Sequence, residues 1–520
     1  MRVSATARIA ISAAVFSAML AACCSGQSST PAKTEDPSPR IQRIAAKVID
    51  LQLAPGEQPI RLNLAELMDL YKVPGLSIAV IDNFQIAWAQ AYGVIGADSR
   101  APITTKTLFQ AGSISKPVAA TGALYLVQQG KLSLDEDVND KLKTWKIPEN
   151  EFTKTEKVTL RRLLSHTGGL TVHGFPGYDL DEPVPTLVQI FNGEKPANTA
   201  PIRVDIVPGT EERYSGGGIT IEQQLMIDVT GEPFPAFMRE TVLDKIGMHD
   251  SSYEQPLPAT RSTMAAHGTH ADGKPVHGNW HIYPEMAAAG LWTTPTDLAR
   301  FAIEIALSQQ DKANHVLSRK MTQEMLTPVL GESGLGLFLD KRNPGQFGHN
   351  GDDEGFQAML TMNVTTGKGL AIMANSQNGI AVGGLLMRSV AKEYGWNYKF
   401  EENGMADLYM TASLKGANTA LHLYDQKKKE GNIDTQHEEA VFNQVGYMLL
   451  TSGKDSDAVL VFQRNVQNYP RSSNVYDSLG EAYVKVGKKD LAIRNCEKSL
   501  ELNPRNTNAR KKLEELRQMK

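Results

Sequence analysis

Cysteine is scarce in this chain: three in 520 residues, at Cys23, Cys24 and Cys496. That excludes a disulfide scaffold, and no two of them stand at zinc-finger spacing. An excess of either charge is missing too. With 54 Lys+Arg against 58 Asp+Glu the formal net charge is −4, so no basic field draws phosphate backbones and nucleic acid is a poor partner. No apolar run is long enough to span a bilayer, since the stretch Ile9 to Ala22 would reach only about 21 Å as a helix against roughly 30 Å of hydrocarbon. The hydrolase signatures G-x-S-x-G and H-E-x-x-H are also absent. What is present is an apolar content of 41%, enough for two or three globular domains built on ordinary hydrophobic cores.

The short apolar run has a different use. Arg2 and Arg8 precede it, as in a secretory signal, and it ends in Leu20-Ala21-Ala22-Cys23. That ending resembles the lipobox of bacterial lipoproteins, in which the signal is removed before a cysteine that receives lipid. The resemblance implies a signal over 1–22, Cys23 as the lipidated first residue, and a Ser- and Pro-rich tether over 23–44. Cys24 in place of an aspartate after Cys23 points to the outer membrane, facing the periplasm. The protein is thus expected at the cell envelope, held to the membrane by a lipid anchor. A bridge between Cys24 and Cys496, one on a tether and one in a far helix, is not expected.

Gly75 to Ala91 reads as two alternating segments joined by Asn83 and Phe84, a β-hairpin pattern. A helix follows from about Ser113 to Gln129, stopped by Gly130. Short helical patterns broken by Gly and Pro fill 135–330. Extended character returns in 334–340, 355–364 and 369–375, and a helix from about Ile380 to Tyr394 closes the block. Strands at both ends around a helical insertion predict an α+β fold: one antiparallel sheet flanked by helices, with an all-helical insertion, over 45–400. From 401 to 520 a 34-residue period emerges, in which Gly446 matches Gly480, Gly453 matches Gly487, Ala458 matches Ala492 and Pro470 matches Pro504. This resembles the tetratricopeptide repeat, a helix-turn-helix unit. The segment Met405–Glu430 and a last helix from Thr507 are expected to complete the stack, whose groove could hold a protein or peptide partner.

The strongest chemical candidate is Ser113-Ile114-Ser115-Lys116. Residues three apart share a helix face, so Lys116 can reach the Ser113 hydroxyl and serve it as base. Ser-x-x-Lys alone is weak, because composition yields it by chance; Ser389-Val390-Ala391-Lys392 is a second copy. Context separates them. Tyr214-Ser215-Gly216 follows Ser113 about 100 residues on, and His349-Asn350-Gly351 opens the returning strands, whereas nothing catalytic follows Ser389.

In this order the motifs resemble those of the penicillin-recognising serine hydrolases: class C β-lactamases, DD-peptidases, D-aminopeptidases and related esterases. Leu163-Leu164-Ser165-His166-Thr167-Gly168-Gly169-Leu170 and Ala287-Ala288-Ala289-Gly290-Leu291 look like two further landmarks of that family. The resemblance spans roughly residues 45 to 400. It implies Ser113 as nucleophile, Lys116 as general base and Tyr214 as a phenol relaying protons to the leaving group and then to the deacylating water. It further implies an oxyanion hole formed by the N–H groups of Ser113 and Asp352, the residue after Gly351, on an edge strand. A hydroxyl needs a base, a leaving group an acid and an oxyanion prearranged donors, so the set is chemically coherent. His349 stands where β-lactamases carry lysine; it could orient a substrate carboxylate when protonated, or only donate one hydrogen bond.

Gly216 replaces an asparagine common in the family, and no lysine stands in the third motif. Both departures weaken β-lactam hydrolysis as the activity and favour small esters or D-configured amides and peptides. No metal or organic cofactor is required. Ser165 and His166 are adjacent and precede a Gly-Gly turn, so they read as structural. His267, His270, His277 and His281 have no fixed ligand face and no acidic partner at metal spacing, so no metal site is expected there. The sequence therefore predicts a serine hydrolase forming an acyl-enzyme. The rival reading is a disabled hydrolase domain serving as an envelope scaffold through its repeats.

Overall fold

The computed structural model describes residues 37–53 and 56–518. The signal, Cys23 and most of the tether lie outside them. A six-stranded antiparallel sheet is built from the two ends of the segment 45–400: β1 (Gly75–Asp82), β2 (Gln85–Gly93), β3 (Phe338–Leu339), β4 (Gln346–Asp353), β5 (Phe356–Asn363) and β6 (Gly369–Ala374). Their order is β2-β1-β6-β5-β4-β3. Asn83 and Phe84 make the hairpin turn with φ of 51° and 60°, the left-handed pair that matches strand twist in a two-residue loop. β1 and β6 lie at the centre and are buried on both faces. Alternation sends Ala79, Ile81, Ala371 and Met373 into one core and Leu76, Ile78, Val80, Leu370 and Ile372 into another.

Two strand expectations need correction. The stretch 334–340 contributes only Phe338–Leu339, because Gly336 turns away with φ of +86° and donates its N–H to Leu164 O at 2.8 Å in the helical region. The strand carrying His349 is not a bare edge either. Phe347 and Gly348 pair with Leu339 and Phe338, and the outer side is free only beyond them. A short helical turn, Gly112–Ile114, packs there.

Five of the longer helices before residue 400 are α1 (Ser38–Ala46), α2 (Ser115–Gln128), α3 (Gly216–Thr230), α4 (Pro295–Gln309) and α5 (Gly379–Glu393). α4 covers the inner face of β1, β5 and β6, and α2 and α3 belong to the helical region beyond it, whereas α1 and α5 contribute to the core behind the sheet. Seven helices follow: α6 (Met405–Lys415), α7 (Ala417–Lys429), α8 (Glu438–Thr451), α9 (Asp455–Asn468), α10 (Ser473–Lys485), α11 (Lys489–Leu502) and α12 (Thr507–Gln518). The 34-residue spacing has a physical basis. A β-carbon on Gly446 would stand 2.4 Å from the Phe462 ring, and one on Gly480 3.2 Å from Cys496 Sγ, the same contact one period later. α6 joins the outer core of the sheet: Leu408, Tyr409 and Met410 are buried in it, with the Tyr409 ring 4.8 Å from that of Tyr71. Among the described residues no helix is long and apolar enough to cross a membrane.

Candidate active site

Ser113 sits in the turn Gly112–Ile114 immediately before α2. That turn is shaped by close approach to β4. Gly112 has φ of +51°, and a β-carbon on it would lie 2.4 Å from Asp352 N; one on Gly351 would lie 1.9 Å from Ala111 O and 3.3 Å from Ser113 N. Only glycine allows both chains so near. The two backbones thereby place the N–H groups of Ser113 and Asp352 on neighbouring segments, the arrangement an oxyanion hole uses.

Lys116, one turn on, is 2% exposed. Its Nζ lies 2.7 Å from Ser113 Oγ and donates to Ala288 O at 2.8 Å. Among the described residues it makes no ion pair. The Ala287–Leu291 stretch is therefore a brace for the backbone around Ser113: Ala288 O takes the lysine, Leu291 O accepts from Ala111 N at 2.9 Å, and Leu291 N donates to Ser115 Oγ at 3.0 Å.

Tyr214 stands just ahead of α3, with its ring centroid 5.0 Å from Lys116 Nζ. His166 holds it from both sides. Arg213 N donates to His166 O at 2.8 Å, Ser215 N to His166 Nδ1 at 3.3 Å, and the imidazole ring lies 4.3 Å from the phenol ring. Burial, with Lys116 adding to it, drives the His166 pKa well down, so the ring is neutral. Ser165 donates to Arg161 O at 2.8 Å and points away from this chemistry. Sequence reasoning gave Ser165 and His166 a structural role together, and missed that His166, with φ of +58°, touches Tyr214. His173, whose ring is 4.9 Å from Tyr214, was missed as well; it stands 41 residues before Tyr214, a separation with no periodic signal.

His349 is brought to the same place, its ring 6.1 Å from Tyr214 and 5.1 Å from Phe338. Its Nδ1 lies 2.5 Å from Asn350 O. A carbonyl can only accept, so Nδ1 carries the proton and Nε2 is a bare acceptor, buried with no partner. Burial, reinforced by Lys116, lowers the His349 pKa to about 3. Gly216, by contrast, leaves no empty slot. A β-carbon there would lie 3.1 Å from His173 O and 3.2 Å from Phe175, so the segment 173–175 occupies the space a larger side chain would need.

Three carboxyls sit in the interior, Glu222 and Asp353 within the field of Lys116 and Glu285 near Asp353, and none was singled out from sequence. Glu222, Glu285 and Asp353 are buried, and no oxygen of any of the three has a hydrogen-bond partner. Burial raises Glu222 and Asp353 well above the usual range and Glu285 to about 8. The four-histidine run separates in space. His270 Nδ1 meets Glu354 at 2.7 Å, His267 Nδ1 lies 3.8 Å from Asp98, and His277 and His281 both approach Asp179.

The beta-lactamase family model matches residues 60–392. The chain belongs to that family. It is 30% identical over 247 residues to a beta-lactamase of Pseudomonas fluorescens, covering 47% of this chain and 63% of the relative. It is 29% identical over 239 residues to penicillin-binding protein 4 of Amycolatopsis lactamdurans, covering 45% and 59%. The chain thus spans about three fifths of the length of these curated relatives. Among solved structures it is similar to the octameric penicillin-binding protein homologue from Pyrococcus abyssi (TM-score 0.51, 22% identity, 64% of this chain and 76% of that one). It is also similar to the D-alanine carboxypeptidase AmpC from Burkholderia cenocepacia (TM-score 0.51, 19% identity, 68% and 100%). At these identities the structural likeness establishes the fold, an antiparallel sheet with helices.

Proposed function

We propose that the protein forms an acyl-enzyme at Ser113 and hydrolyses small esters or D-amino-acid amides whose acyl or leaving group carries no free carboxylate. The observation that carries this is the 2.7 Å contact between Lys116 Nζ and Ser113 Oγ at the foot of α2. In this reading Lys116 takes the hydroxyl proton as Oγ attacks, and Tyr214 passes a proton to the departing group and later receives one from water. The N–H groups of Ser113 and Asp352 hold the oxyanion. The substrate class rests on His349. An imidazole with a pKa of about 3 is uncharged at neutral pH and offers no cation to a carboxylate. Gly216, packed under 173–175, offers no side-chain amide. The helical tail we read as tetratricopeptide-like, suited to a peptide or protein partner, and Cys23 as a lipid anchor holding the chain at the envelope.

Labelling decides the first part. A fluorophosphonate should modify the wild type and leave Ser113→Ala untouched; equal labelling of both would refute the nucleophile. On the unlabelled wild type, a p-nitrophenyl ester and a D-amino-acid amide should turn over faster than a D-Ala-D-Ala peptide or a cephalosporin, each of which carries a carboxylate. The reverse order would sink the substrate class while leaving the nucleophile standing.

A further inference from the structure

We propose that Asp353 is a positioning residue for the oxyanion hole: its neutral carboxyl packs under the Gly112–Ser113 turn, and its ionisation sets a negative charge against the place where the oxyanion forms. This role rests on the acyl-enzyme reading above and adds to it a regulating proton that Ser113, Lys116 and Tyr214 do not carry. Alternation along β4 sends His349, Gly351 and Asp353 to the buried face, and Asn350 and Asp352 to the exposed one. The buried face is the one that meets the nucleophile turn. A β-carbon on Gly351 would stand 1.9 Å from Ala111 O, and one on Gly112 would stand 2.4 Å from Asp352 N. Asp353 is the next inward position after Gly351, roughly 7 Å along the strand from that closest approach.

The carboxyl is isolated there. Asp353 is 5% exposed, and both of its carboxyl oxygens are closed to solvent without a hydrogen-bond partner. A bare carboxylate in such a place loses its hydration with nothing in return, whereas the acid form loses far less, so the group keeps its proton. Its neighbours act in both directions. Burial pushes the carboxyl well above the usual range; Asp352 adds to that and Glu285 adds less, while Lys116 on α2 and the Gly112 N–H oppose them. Tyr283, itself buried, faces Asp353 as well. The adjacent acids are turned elsewhere: Asp352 accepts from Gln357 Nε2 at 3.3 Å, and Glu354 meets His270 at 2.7 Å. The Gly112 N–H that bears on Asp353 is next in the chain to the Ser113 N–H assigned to the hole, so the carboxyl and the oxyanion address neighbouring donors of one turn. A like charge about 7 Å from the oxyanion, at an effective dielectric of about 20, slows its formation about fiftyfold.

The rate of fluorophosphonate labelling of Ser113, followed against pH on the full chain, reads this role, because displacement of fluoride from phosphorus by Oγ uses the same hole and needs no turnover. The wild-type rate should fall by at least about tenfold on the alkaline side. Asp353→Asn keeps the shape and cannot ionise; Asp353→Thr removes the carboxyl with a residue that strands accept. In both, with each profile scaled to its own maximum, the fall should begin at least about one pH unit higher than in the wild type. A role in packing alone would lower the melting temperature of both variants and leave the limb in place. In Glu285→Gln the fall should begin at lower pH, since the charge on that neighbour helps to hold the Asp353 proton. A limb lost or moved upward in Glu285→Gln would overturn the proposal. So would a limb unmoved in both Asp353 variants, or a wild-type profile flat across the pH range in which the chain stays folded, and each of these leaves Ser113 standing as nucleophile. No labelling of Ser113 at any pH would instead defeat the acyl-enzyme reading, and this role with it.

Discussion

At the scale of single residues the site is governed by what burial does to charge. His166 and His349 both flank Tyr214, and both imidazoles are kept neutral chiefly by burial, with Lys116 adding to it. The same burial keeps Glu285 protonated to about pH 8, from an ordinary value of 4.5. The sign of the resulting pH effect follows from proton counting. Between those values the native chain retains a proton that the unfolded chain has released, so unfolding releases a proton and stability falls as pH rises. The slope is about 1.4 kcal/mol per pH unit for such a group, fully developed only between the two values. Glu285→Gln has no proton to lose. Its stability from urea titrations should decline less between pH 5 and pH 8 than that of the wild type, with Glu222 and Asp353 supplying the same background in both. Parallel declines would show that Glu285 is not held protonated.

At the scale of elements, the close contact between β4 and the turn before α2 sets where an oxyanion could be held. Gly351 is the residue that permits it: any side chain would collide with Ala111 O. In Gly351→Ala the strand must retreat from Ser113, carrying the Asp352 N–H with it. We expect kcat on a p-nitrophenyl ester to fall by about 100-fold or more, the usual effect of losing one oxyanion donor, while fluorophosphonate labelling slows in parallel. Circular dichroism should remain that of the folded chain, since β4 keeps its pairing to β5. An unchanged rate would mean that this strand is not part of the hole. The same element-scale logic explains the two sequence landmarks. Ala287–Leu291 grips the backbone around Ser113, and His166 grips the backbone on both sides of Tyr214.

At the scale of the whole molecule, the outer face of the sheet is a shared surface. Ile78, Val80 and Ile372 of the sheet belong to one apolar cluster with Val382 and Leu386 of α5 and with Leu408, Tyr409, Phe442 and Leu449 of the helical tail. A chain ending after Phe400 would uncover part of this cluster, at a cost of about 25 cal/mol for each Å² of apolar surface returned to water. Such a truncation should melt several degrees lower than the full chain, or aggregate, and light scattering together with thermal melts would register either. A truncated form as stable and monodisperse as the full chain would show the tail to be an independent appendage.

Much of this was legible from residues alone. The hairpin at 75–93, the helix after Ser113, the α+β class and the 34-residue period all rest on local patterns, namely alternation, capping, turn residues and small residues at helix contacts, which neighbouring positions fix without distant help. Ser113 and Lys116 could be paired for the same reason, being one helical turn apart, whereas Tyr214 was nominated only through the family resemblance of its motif. Contacts between segments far apart in the chain were not legible: His166 and His173 on Tyr214, the carboxyls of Glu222 and Asp353 near Lys116, and Asp179 beside His281. Nor was the protonation of His349, which depends on how deeply the fold buries it. Sequence determined which side chains exist and which local elements they form. Tertiary structure alone decided which of them meet and how much water they keep, because contact across about 100 residues and the desolvation of a charge are properties of packing and leave no periodic mark in the chain.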